Sequence, residues 1–204
     1  MKKFLILILA VTLGISATDA QQLSKREIKA QKKALQQEIA GYQAQGWTVA
    51  PGNLSMAEQI TRSKSFITAM DENNEAKYVI AEATTTAETH KAAMQSAQSA
   101  VKLAAANTIH GEIMSLTETS LANSEEAALQ AVSVDEFVTA AKELVAASLP
   151  RGILLISMYR EVGNNVQLRL MYAYDYAKVL DSAKAATRQT LQDKIDKLHN
   201  KLNK

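Results

Sequence analysis

The sequence predicts an α+β fold: a small three-stranded antiparallel sheet packed on a long Ala-rich helix, with extended N- and C-terminal helices. Three observations predict it. Residues 77–85 are rich in β-branched side chains, as a strand requires. Residues 153–176 alternate apolar and polar side chains around Gly163-Asn164-Asn165, which reads as a hairpin. Residues 86–121 carry apolar or small groups at Met94, Ala97, Val101, Ala105, Ile109, Ile113 and Leu116, the spacing of one helical face. The first half of that face is mostly Ala. A small face lets a neighbouring backbone approach closely, so this helix is expected to lie on the sheet.

The chain has 204 residues, which suits one domain with helical extensions. Residues 1–20 read as a secretory signal peptide: Lys2 and Lys3, a largely apolar run over 4–15, then small residues up to Ala20. That run is shorter than the ~20 residues a membrane-spanning helix needs, and no later segment suits one. There is no Cys, so disulfides, thiol catalysis and Cys-based metal sites are excluded, as is lipid attachment at a cleavage-site Cys. Without residues 1–20 the formal charge is +1, but it is unevenly spread. Residues 21–70 sum to +4, 71–145 to −8 and 146–204 to +5. Basic ends flanking an acidic middle are able to support contacts between ends and middle or between copies.

Residues 21–46 form an N-terminal amphipathic helix, with Ser24 and Glu27 spaced as a capping box. Ile28, Leu35, Ile39 and Tyr42 give a thin apolar stripe, and Lys29, Lys32 and Lys33 a basic first half. The stripe lacks Phe and Trp, so docking is the better account of it, with peripheral contact to an anionic membrane as the alternative. The core domain spans 47–176. Its start holds the only Trp, Trp47, which reads as a plug at the core's edge, or alternatively as a ligand-stacking ring. Asn53 or Ser55 caps a second helix reaching about Met70. Asp71, Asn73 and Glu75 alternate as calcium ligands would, but Ala76 stands where an EF-hand loop needs Gly, so this is a solvated turn. The 77–85 strand places Tyr78 and Ile80 on one side and Val79, Ala81 and Ala83 on the other.

A looser segment starts at Asn123. A helix over 134–149 follows, with Phe137, Ala141 and Leu144 on one face, and should cover the sheet beside the Ala-rich helix. In the hairpin, a three-residue loop pairs Val162 with Val166, Met158 with Leu170 and Ile156 with Tyr172, with Asn165 left-handed. Tyr172 and Tyr174 then face the core, so base stacking and nucleic-acid binding are not indicated. Residues 177–204 form a C-terminal helix whose Leu191, Ile195, Leu198 and Leu202 resemble a short coiled-coil seam. Both terminal helices are expected to project or to pair.

The element order, with Gly46-Trp47, the Tyr78-Val-Ile-Ala-Glu82 strand, the 92–106 helix and the 166–176 strand ending in Tyr174-Asp175, resembles small secreted proteins of Bacteroidetes-type bacteria. These are similar to the lipoprotein-twenty family of outer-membrane-associated lipoproteins. The resemblance spans roughly residues 46–180 and implies an envelope location, but this chain lacks the lipid-bearing Cys. It implies no catalytic residues.

His90, His110 and His199 do not have zinc-site spacing, and neither a Gly-framed Ser nor a Gly-rich phosphate loop is present. No cofactor or metal is therefore expected. The sequence points to an exported, non-catalytic envelope protein acting through protein–protein contacts, in the periplasm, at the outer membrane or secreted. The candidate surfaces are Trp47, Lys29, Lys32, Lys33 and the Leu191, Ile195, Leu198, Leu202 seam, and the partners are an envelope protein or a second copy. Two alternatives are a binding module for a small ligand or envelope glycan, using Trp47 and the sheet edge, and, last, a hydrolase built from dispersed carboxylates.

Overall fold

The computed structural model describes residues 25–122 and 134–202. The expected signal peptide, the Ser24 cap and the segment beginning at Asn123 lie outside them, as do the side chains of Leu198 and Leu202. The fold is α+β. In chain order the elements are α1 (Lys25–Ala44), α2 (Met56–Ile67), β1 (Tyr78–Ala87), α3 (His90–Thr108), α4 (His110–Ala122), α5 (Val134–Ser148), β2 (Ile153–Val162), β3 (Asn165–Asp175) and α6 (Tyr176–Leu202). The three strands form one antiparallel sheet in the order β1-β3-β2.

The Ala-rich helix lies on the sheet as its composition requires. Ala93, Ala97, Val101 and Ala105 of α3 are fully buried with Val79, Ala81, Leu168, Leu170 and Tyr174. Thr89 caps α3 by accepting a hydrogen bond from the Ala92 amide. The expected 86–121 helix is not continuous, however. β1 runs on to Ala87, pairing Thr86 with Gln167 and Ala87 with Val166. Ile109 leaves helical geometry at φ −101°, ψ 28°. Thr108, Ile109 and Gly111 are poor helix formers, and the two halves answer to different neighbours. α3 packs on β1 and β3, whereas α4 packs on α5 and α6. The change from an Ala face to larger aliphatics marks that change of neighbour.

The hairpin register differs from the three-residue-loop expectation. Val162 pairs with Asn165, so the loop is the two residues Gly163-Asn164, and Tyr159 pairs with Leu168 and Met158 with Arg169. Gly163 has φ +60° and Asn165 is not left-handed; glycine at the first loop position is what a type II′ turn demands. The expected pairing assumed one apolar and one polar face, but both faces are covered. Ser157 and Tyr159 join the α3 side with Leu170 and Leu168. Met158 joins the other side, opposite Arg169. A bulge between Leu154 and Ile156 then lets Leu155 and Ile156 both enter the second core.

That second core was not expected. Trp47, Met56, Ile60, Leu155, Ile156, Met158, Met171 and Ala173 are buried together, flanked by Leu35, Ile39 and Tyr42 of α1. α2 supplies the cover, capped by Ser55 in a full capping box with Glu58. The expectation that α5 covers the sheet is also corrected. α5 packs on α3, α4 and α6, burying Phe137, Val138, Ala141 and Val145, with Leu144 only partly buried. α6 folds back along α4 and α5 and buries Val179, Ala183 and Ala186 in the first core.

Candidate functional site

The expected interaction residues separate into three groups. Trp47 is 7% exposed, and the Arg160 guanidinium lies 4.7 Å above its ring centre. Beside it, Thr48 and Tyr159 exchange backbone hydrogen bonds of 2.8 and 2.9 Å, so the chain leaving α1 covers part of the outer edge of β2. Trp47 is a core plug, and its ring is not free to stack on a ligand. On the C-terminal seam, Leu191 and Ile195 are half-buried, and Lys194 reaches Glu136 of α5 at 3.6 Å. This part of the seam borders the protein's own α5.

Lys29, Lys32 and Lys33 are all exposed. The second half of α1 is anchored: Leu35, Ile39 and Tyr42 pack on the second core, Glu38 pairs with Lys64 at 2.6 Å, and the Tyr42 hydroxyl accepts from Arg169 at 2.8 Å. Arg169 also grips Glu82, with Nε 2.7 Å from Oε1 and a second nitrogen donating to Oε2 at 3.0 Å. Burial works against the Arg169 charge, but Glu82 and Tyr42 outweigh it and raise its pKa. Residues 28–34 of α1 have no such anchor among the described residues. Every residue from 27 to 34 is exposed, including Ile28 at 41%. Among the described residues no carboxylate pairs with Lys29, Lys32 or Lys33.

A further site was not anticipated. On the α3 side of the sheet, where β2 begins, a cleft of about 550 Å³ is lined by Gln98 and Lys102 of α3, Leu149, Pro150, Arg151 and Gly152 of the α5–β2 connection, and Leu154, Tyr172 and Tyr174 of the sheet. The two tyrosines stack with ring centres 6.1 Å apart. Gly152 presses on them so closely that a Cβ there would stand 2.7 Å from Tyr174 Cε1. Tyr174 is only 4% exposed; its hydroxyl has no protein hydrogen-bond partner among the described residues and is not sealed from solvent. Burial, and secondarily Tyr172, push its pKa up to about 12, so the hydroxyl stays a neutral donor at ordinary pH. No carboxylate lies among the lining residues, and neither Lys102 nor Arg151 has an ion-pair partner among the described residues.

No family model, curated protein or solved structure matches the chain.

Other candidate groups serve the fold. Asp71 Oδ1 accepts from the amides of Asn73 and Glu75, both at 2.9 Å, which closes the turn once compared with a calcium loop. His90 meets the Tyr159 ring edge-on at 5.4 Å, and His110 is exposed at the start of α4. Among the described residues, no group of three His, Asp or Glu side chains is placed to hold a metal, and no helix is long and apolar enough to cross a membrane. The cleft residues escaped sequence reading because they carry no motif. Pro150-Arg151-Gly152 reads as a helix stop and Tyr172 and Tyr174 as core, and Lys102 lies within the Ala-rich helix with no pattern to single it out.

Proposed function

We propose that this chain is an exported, non-catalytic cell-envelope protein that acts through protein–protein contacts, and that the first half of α1 is its contact surface. The observation that carries this reading is the uninterrupted exposure of residues 27–34 on a helix whose second half is firmly docked. Isolated helices of two turns are marginal in water. This one continues from an anchored half, so a partner meets a preformed surface and less ordering entropy opposes binding. Ile28 supplies an apolar anchor, and Lys29, Lys32 and Lys33 supply cations that favour an acidic partner surface. The location rests on the signal-peptide pattern of residues 1–20 and on the resemblance of the strand and helix motifs to envelope proteins.

The test is site-specific crosslinking in the native cells, with a photoreactive group at position 31 and fractionation of the envelope. A defined adduct is expected from the unaltered chain. Reversing the charges of Lys29, Lys32 and Lys33 to Glu should abolish it without changing the circular dichroism spectrum or melting temperature. Recovery as a strict monomer with no adduct, or an adduct insensitive to charge reversal, overturns the reading.

A further inference from the structure

The cleft between α3 and the start of β2 combines features that internal packing leaves unused. The ring of Tyr174 is almost wholly buried, while its hydroxyl has no protein partner among the described residues and is not sealed from solvent, at a residue that lines the cleft. A hydroxyl that neighbouring side chains do not engage is free to donate to a molecule in the cleft. Lys102 and Arg151 reach the same cleft from different elements, one on α3 and one after α5, and no carboxylate lining it balances them. Gln98 adds an amide that both donates and accepts. Leu149, Pro150 and Leu154 form an apolar side, with Leu154 38% exposed. A volume of about 550 Å³ is in the range of small-molecule sites. A Cβ at Gly152 would meet the tyrosine rings, so the absence of a side chain there lets the connection lie directly against the pair.

We propose that this cleft is a binding site for a small organic anion: a ring-sized molecule bearing one carboxylate or phosphate. Lys102 and Arg151 hold the charged group, the Tyr174 hydroxyl donates a hydrogen bond, and the body of the ligand rests on Leu149, Pro150 and Leu154. Two cations and a neutral hydroxyl donor select for an acceptor-rich anion. A neutral analogue of the same shape would leave both cations without a counter-charge. This site is independent of the α1 surface, on a different part of the molecule, so either reading can fail alone.

The test uses the purified full chain, ¹⁵N-labelled, titrated with glucuronate, glucose 6-phosphate, benzoate and phenyl phosphate, with glucose and benzyl alcohol as neutral counterparts. Saturable shifts at the Gln98 and Gly152 amides are expected with at least one anion and with neither neutral compound. Comparison of the carboxylates with the phosphates shows which head group the site prefers. Lys102→Ala and Arg151→Ala should each weaken that anion about tenfold or more, as loss of a charge-assisted contact implies. Tyr174→Phe should weaken it with an unchanged melting temperature. Binding by none of the anions overturns the proposal. So does equal binding of a neutral counterpart, or affinity unchanged in the Lys102→Ala/Arg151→Ala double variant.

Discussion

Replacing Gln59 with Leu should cost about 2–4 kcal/mol of stability, although Gln59 belongs to no motif. The side chain is 3% exposed on α2. Its Oε1 accepts from the Ser157 amide at 2.7 Å, and its Nε2 donates to the Leu54 carbonyl at 2.7 Å. Ser157 lies on β2, an outer strand of the sheet, two residues before the Tyr159 amide that Thr48 satisfies. Gln59 therefore closes the next outward-facing donor along that edge. Leucine is close in volume, so the cavity term is small, but it leaves one donor and one acceptor unpaired. An unpaired buried amide costs about 1–3 kcal/mol and the part-buried Leu54 carbonyl adds less, both partly offset by the added apolar burial. Urea unfolding should show a lower midpoint with an unchanged slope. Gln59→Glu supplies a control with a sign. Its protonated carboxyl can reproduce both hydrogen bonds, whereas the carboxylate repels the Leu54 carbonyl, so its folded pKa is raised. The stability that proton supplies is present below the unfolded pKa of about 4.3 and is lost as pH rises through the folded value. A Gln59→Leu change within about 0.5 kcal/mol, the range of an ordinary surface substitution, refutes the edge-closing account.

Gly152→Ala puts a Cβ 2.7 Å from Tyr174 Cε1 and 3.0 Å from Tyr172 Cδ1. Overpacking of this kind should destabilise by about 1–3 kcal/mol, seen in thermal unfolding, and should shift the tyrosine ring resonances. Absorbance titration should find two tyrosines ionising late: Tyr174, pushed up to about 12 chiefly by burial, and Tyr176, raised first by donating to Glu112 at 2.8 Å and then by burial. For both, the folded pKa exceeds the unfolded value near 10, so the linked stability is complete below that pH and disappears as pH climbs through the folded value. Glu112→Gln should bring Tyr176 back toward the ordinary range and leave Tyr174 unmoved. Glu82→Ala strands the half-buried Arg169 and should cost about 1–3 kcal/mol, between exposed and buried pairs; adding Arg169→Met should recover part of that loss in a double-mutant cycle.

Local composition carried much of the architecture. Val79 and Ala81 face α3 because a strand alternates, and Ala93, Ala97, Val101 and Ala105 meet them because a helix repeats near every four residues. The turn residue Gly163 marked the hairpin, but the register escaped. Alternation says which residues share a face; it does not say whether the opposite face is wet. Met158 and Leu170 are both fully buried, each against a different helical layer. Once both faces are apolar, a one-residue slip no longer exposes a hydrophobic set, and the usual constraint on register weakens. What discriminates is backbone geometry: a glycine at φ +60° starting a two-residue loop, and a bulge at Leu155 that restores apolar contact with Met56 and Ile60.

The same distinction explains which functional residues could be read in advance. The exposed half of α1 is local: its lysines and its thin stripe lie within a few turns of one helix, and their pattern survives in the primary sequence. The cleft is assembled from α3, the α5–β2 connection and β3, and its chemistry exists only where these meet. Lys102 is one of several helix-surface cations until Arg151 is brought near it. Tyr174 is an ordinary core tyrosine until it is found lining the cleft, its hydroxyl without a protein partner among the described residues. Gly152 is what joins the two descriptions. The absence of a side chain there lets the connection after α5 lie directly on the tyrosine pair. A residue first read as a helix terminator thus sets how closely a cation and the Tyr174 hydroxyl approach the same space, and substitution at Gly152 should change cleft binding as well as stability.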